Sequence, residues 1–277
     1  MGYTSVLVYV EDVDSADSRV VLACDLAKLF DARLIGVSAS IPTPPVMQPY
    51  PGGAMIGLVW AQEQQIAEQE VQRVEGRFRS IGGGRFAELA WRGVLYDPAR
   101  FVACQARTAD LIILGAESSW PCPCNVANPG DVVMAAGRPV LVTPPNFTLK
   151  PMLAHVLVAW KDCSESRRAL TDALPLLGKA GKVSVIGIAE EGNQKANRDS
   201  VADVSDFIRM HGKDATAMAM PSNGHSTAEQ LLAYAKANEV GLIVLGGYGH
   251  VRTREWIFGG VTRSLLRTSQ VCCLFSH

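Results

Sequence analysis

Leu242-Ile243-Val244-Leu245 runs directly into Gly246-Gly247-Tyr248-Gly249, and Gly259-Gly260 follows after nine further residues, His250–Phe258. Four consecutive apolar residues bounded by turn formers read as a strand buried on both faces, as in a parallel sheet covered by helices above and below. Glycines at the C-terminal end of such a strand let backbone approach a ligand in the crevice where α/β sheets bind small molecules. The spacing predicts a helix over Gly259–Thr268, opening at the third glycine. Because a helix N-terminus carries unpaired N–H groups and roughly half a positive charge, a phosphate fits between the turn and that helix. The residues therefore pose a nucleotide site.

The same strand has a counterpart in the first half of the chain. Ala109-Asp110-Leu111-Ile112-Ile113-Leu114-Gly115 matches Val240-Gly241-Leu242-Ile243-Val244-Leu245-Gly246, an offset of 131 residues. Ser5–Val10 likewise matches His155–Trp160, and Arg33–Val37 matches the strand that ends near Gly187. Gly130-Asp131-Val132-Val133 with Arg138–Val142 matches Gly259-Gly260-Val261-Thr262 with Gln270–Leu274. The order is kept while the offset shrinks from 150 to 129, so the first copy holds an insertion, assigned to the Pro-rich Ile41–Gly53 and a long helix over Met55–Ile81. Each half reads β-α-β-α-β-α-β-α-β. Such alternation demands a parallel sheet with right-handed crossovers. The expected fold is α/β: two tandem doubly wound five-stranded parallel-sheet domains, residues 1–145 and 150–277, joined across the turn-rich run Thr143–Pro151.

The 277 residues suffice for two domains with real cores, and 48% hydrophobic against 19% charged residues excludes a disordered or fibrous chain. A net charge of −1 gives no general attraction to nucleic acid or acidic lipid. No apolar stretch reaches the ~20 residues that cross a bilayer, and Met1–Val10 lacks the pattern of a signal peptide, so a cytoplasmic protein without membrane or nucleic-acid partners is expected. Seven cysteines, an odd count, suit a reducing compartment. Cys24, Cys104, Cys272 and Cys273 fall in segments that read as core, and Cys122-Pro123-Cys124 reads as a loop without zinc-like spacing.

With the repeat and the glycine spacing established, the chain resembles a tandem universal stress protein over nearly all of both halves. That family's nucleotide motif, G-x2-G-x9-G-[S/T], stands here as Gly246, Gly249 and Gly259, with Gly260 in place of the Ser or Thr. The resemblance implies an adenine nucleotide alpha hydrolase-like fold with two pseudo-twofold related domains. It implies ATP in the second half, accompanied by Mg2+, near Gly246, Gly249, Gly259, Gly260, Val261 and Thr262. The family's acidic residue after the first strand corresponds to Asp162, and its adenine-contacting backbone falls near Val185-Ile186-Gly187. Read from the residues alone, Asp162 or Ser164 also suits a helix cap. His250 and Arg252, directly after Gly249, are placed to meet phosphate.

The first half departs from the motif: no glycine matches Gly249, and Asp131 stands where Gly260 does, so a carboxylate faces the helix start. It reads as a degenerate copy. Neither a P-loop lysine motif, a G-x-S-x-G elbow nor a zinc-type histidine spacing occurs, and Asp12 and Asp14 read as a capping turn, so no enzyme is expected. The leading reading is a stress-response protein that keeps ATP as a regulatory ligand. The alternative is a stress-response scaffold or interaction protein without nucleotide. The last apolar runs, Pro139–Val142 and Val271–Phe275, are expected to pair antiparallel within one chain, with further homodimerisation open, because each is otherwise an exposed edge.

Overall fold

The structure, a computed structural model, describes residues 2–42, 53–84, 86, 89–116, 125–189, 192–248 and 260–277. The first half comprises β1 (Ser5–Tyr9), α1 (Ser15–Phe30), β2 (Arg33–Ser40), α2 (Gly53–Gly82), β3 (Ala90–Leu95), α3 (Pro98–Gln105), β4 (Leu111–Gly115), α4 (Pro129–Ala136) and β5 (Val140–Thr143). After α5 (Leu149–Ala154), the pattern repeats as β6 (His155–Trp160), α6 (Ser164–Lys179), β7 (Lys182–Ala189), α7 (Gln194–Met210) and β8 (Thr216–Pro221). It closes with α8 (Thr227–Ala237), β9 (Leu242–Gly246), α9 (Gly260–Thr268) and β10 (Cys272–Ser276).

All ten strands form one sheet in the order β3-β2-β1-β4-β5-β10-β9-β6-β7-β8. That order reads the same from either end once the second copy is renumbered, which is the signature of two doubly wound units related by a pseudo-twofold axis. Pairing is parallel inside each half and antiparallel only where β5 meets β10, with Cys273 opposite Val142 and Phe275 opposite Val140. Two apolar edges are thereby hidden at once.

Helices cover both faces. One core gathers side chains from α1, α5, α6 and α7, the other from α4, α8 and α9. The strands between them bury both their faces, so β1, β4 and β9 read as unbroken apolar runs.

Three local expectations are corrected. The run read as a bare linker folds into α5, because Met152 and Leu153 find core to bury in and Pro151 falls in the first turn, where a missing N–H does no harm. Cys104 is exposed: it lies on the outer side of α3, whereas Cys24, Cys272 and Cys273 are buried. Asp12 and Asp14 do not cap α1; with Asp17 they pair across to Arg73 and Arg77 on α2, surface contacts of small energetic weight. Cys122 and Cys124 lie outside the described residues.

Candidate functional site

The C-terminal ends of β6, β7 and β9 open into a cleft of about 680 Å3. Strand order puts it there. β6 lies between β9 and β7, and α6 leaves β6 on one face of the sheet while α8 and α9 pack on the other. That divergence is the switch point at which doubly wound sheets hold ligands.

One end of the cleft is apolar and the other is lined by helix starts. Ala159, Ile186, Ile188, Ala189, Leu231 and Leu245 supply the apolar wall, flanked by Asn193 at the N-cap of α7 and by Asn197 and Ser200 within it. Trp160 stands at this end with its indole N–H donated to Ser200 Oγ at 2.7 Å, which holds the ring in place. Asn197 donates to the Gly187 carbonyl at 2.9 Å, and a Cβ on Gly187 would lie 2.2 Å from its Oδ1, so only glycine admits that side chain. The opposite end comprises Gly246, Tyr248, Gly260, Val261 and Thr262, with Lys161, Asp162, Cys163, Glu165 and Ser166 beside them.

Two helices therefore begin at the cleft, α6 and α9. The N-cap of α6 is Cys163, in extended backbone and without a side-chain cap bond. Neither Asp162 nor Ser164 takes the capping role expected of it: the Asp162 carboxylate instead accepts from Arg167, both side chains being well exposed at the rim. Glu165 bonds its own backbone N–H, and this bond, more than those from Cys163 and Ser164, holds its carboxyl below the usual range. Lys161 places a positive charge on the same wall. At α9 the first turn carries no acidic residue, and a Cβ on Gly260 would meet open space. Gly246 has a different reason to be glycine. A Cβ there would lie 2.7 Å from the Ser166 nitrogen, so β9 abuts the start of α6.

Among the residues expected at the site, Asp162, Gly246, Gly260, Val261 and Thr262 are brought together. The expectation at Val185 concerned its backbone; its side chain is buried in the core on the far face of β7, and the neighbouring Ile186 and Ile188 face the cleft. Gly249, His250, Arg252 and Gly259 lie outside the described residues. Trp160, Asn193, Asn197 and Tyr248 were not legible as site residues, since their contribution depends on packing between elements distant in sequence.

The corresponding place in the first half is filled. Glu11 and Arg19 form a buried ion pair there, each side chain 3% exposed, with Arg19 Nη1 donating to Glu11 Oε1 at 3.1 Å. A Cβ on Gly115 would lie 2.2 Å from Arg19 Nη1, and the space left beside Ser15, Ala116 and Thr143 amounts to about 10 Å3. Burial raises the Glu11 carboxyl despite the pull of Arg19. At the start of α4, Asn128 Oδ1 accepts from the Asp131 N–H at 3.2 Å, and burial, with Asp97 nearby, raises the Asp131 carboxyl. The chain thus presents one open cleft and one closed counterpart among its described residues.

Neither a family model nor any curated protein matches the sequence. Solved structures do. A universal stress protein from Archaeoglobus fulgidus DSM 4304 superimposes with a TM-score of 0.69 at 16% identity, over 98% of this chain and 97% of the other. A protein of unknown function from Pseudomonas aeruginosa PAO1 superimposes with a TM-score of 0.58 at 14% identity, over 99% of this chain and 92% of the other. The likeness extends through both halves and is one of fold.

Proposed function

We propose that this chain, with its tandem universal stress protein fold, holds one adenine nucleotide in the second-half cleft as a regulatory ligand, without rapid turnover. The observation that carries the reading is the open cleft of about 680 Å3 between two helix N-termini, set against a filled counterpart in the first half. Its apolar end, walled by Ile186, Ile188 and Leu231, suits a base; its other end, at Gly246, Gly260 and the starts of α6 and α9, suits phosphates. ATP is the form proposed. Mg2+ fits as an ion carried in by the phosphates, because no group of three or more metal-ligating side chains occurs among the described residues. Asp162, paired with Arg167 at the rim, lines the cleft together with a second carboxylate, Glu165.

Among the described residues no nucleophile–base–orienter arrangement lines the cleft, and a bound regulator is proposed rather than a catalyst. No helix among the described residues is long and apolar enough to cross a membrane. A cytoplasmic site of action is proposed with the stress-response role. Mass spectrometry of nucleotide released from the purified, undialysed protein tests the reading. Adenine nucleotide at about one per chain is expected, with its loss in G249D, at the second glycine of the motif that the family resemblance assigns to the phosphates, since like-charge repulsion there is worth several kcal/mol. A G249D chain that folds and retains the nucleotide would place the phosphates elsewhere.

A further inference from the structure

The turn that closes β9 belongs to the cleft yet touches the first half. Tyr248 lines the cleft, is 7% exposed, and takes a φ of 57°. Left-handed backbone costs a bulky residue about 1 kcal/mol or more, so surrounding packing must hold it there. The packing comes from α4. A Cβ on Gly247 would lie 2.8 Å from Val133 Cγ1, and a Cβ on Gly130 would lie 2.5 Å from the Tyr248 hydroxyl oxygen and 3.6 Å from its Cζ. α4 also packs against α9, which opens at the cleft. One first-half helix therefore braces both backbone segments that bound the glycine end of the second-half cleft.

Gly130 is the first-half counterpart of Gly259 in the repeat, where a glycine would make room for a phosphate. Here that room has another tenant. Asn128 already serves the α4 N-terminus and Asp131 brings a carboxylate to its first turn. The space that a side chain at Gly130 would take is held by the phenol of Tyr248.

We infer that Tyr248 is a positioning residue of the cleft and that Gly130, in the other half, is its seat. The first half thus sets the geometry of a site it does not contain. Packed interfaces shift between discrete arrangements rather than deforming smoothly, so unseating the phenol moves the turn after Gly246 and loosens the phosphate end. Coupling is reciprocal: a nucleotide that fixes the turn also steadies α4. The inference rests on the nucleotide reading above.

The test is calorimetric titration of ATP into four full-length chains: wild type, G130A, Y248F and G130A/Y248F. Alanine suits a helical position better than glycine; its methyl collides with the Tyr248 hydroxyl and also sits 3.1 Å from the capping Asn128 Oδ1, a contact that both G130A chains share. The ATP dissociation constant of G130A is expected to rise about tenfold. Y248F removes the atom that the methyl would meet, and its own ATP dissociation constant is the reference for the double variant. The double variant is expected to return to the Y248F affinity, since a ring carbon at 3.6 Å is ordinary contact. A G130A chain that binds as wild type overturns the inference, and so does a G130A defect that persists in the double variant, because it would then arise in α4 itself. A wild-type chain that binds no ATP at all removes the nucleotide reading beneath it, a distinct result.

Discussion

Asp110 shows how one side chain ties the start of a strand. Its Oδ2 accepts from the Thr4 N–H at 2.8 Å, the Thr4 hydroxyl at 2.7 Å and the Ser5 N–H at 3.1 Å, bridging the entrances of β4 and β1. Partial burial alone would raise its pKa, but these bonds, with Arg138 nearby, outweigh it and hold the carboxyl below its ordinary value of 3.8. A group with a depressed folded pKa stabilises the native state above its unfolded value and stops doing so as pH falls through the folded one. D110A is therefore expected to lose about 1 kcal/mol near neutral pH, the solvent-screened net of bonds to one carboxylate. Urea titrations of both chains at several pH values check this; the gap is expected to narrow only below pH 3.8, and a gap that widens on acidification contradicts the assignment. At this scale the sequence was partly legible. Glycine spacing located Gly246 and Gly260, but Val185 and Ile186 are both apolar in a strand buried on both faces, so no polar alternation marks which of them faces the cleft. Cys163 at the N-cap was not legible either, because nothing in its chemistry advertises that role.

Among elements, β10 matters most, since it lies between β5 and β9 and joins the two halves. Its residues from Cys272 to Ser276 are all buried. A proline at Cys273 removes a ladder donor from an interior strand, which sheets tolerate only at edges and bulges. C273P is expected to cost about 3 kcal/mol or more and to make the chain unfold in two steps or associate between copies. Thermal unfolding followed by circular dichroism, with light scattering, reads both outcomes; one unchanged cooperative transition of a monomer contradicts the role given to β10. Strands and long helices were legible because four or more apolar residues between turn formers leave little choice of structure. The helix α5 was hidden by its short length and by Pro151, which reads as a breaker unless Met152 and Leu153 are known to find a core. The α7 wall of the cleft was hidden for a related reason. Asn193, Asn197 and Ser200 gain meaning only from the strands against which α7 packs.

Across the whole molecule, two copies of one supersecondary pattern have taken different roles around a palindromic sheet. Among the described residues, Glu11 and Arg19 fill the first crevice with their own ion pair, and the second stays open beside Lys161, Gly246 and Gly260. This asymmetry fixes stoichiometry as well as binding. A buried ion pair broken to admit a ligand would cost about 3–5 kcal/mol, a large share of the roughly 8 kcal/mol that micromolar binding supplies. The most direct test is a calorimetric titration of the full-length wild-type chain, freed of endogenous nucleotide, with ATP in the presence of Mg2+. Saturation at one ATP per chain is expected; two equivalent sites, or no binding, would contradict the asymmetry between the halves.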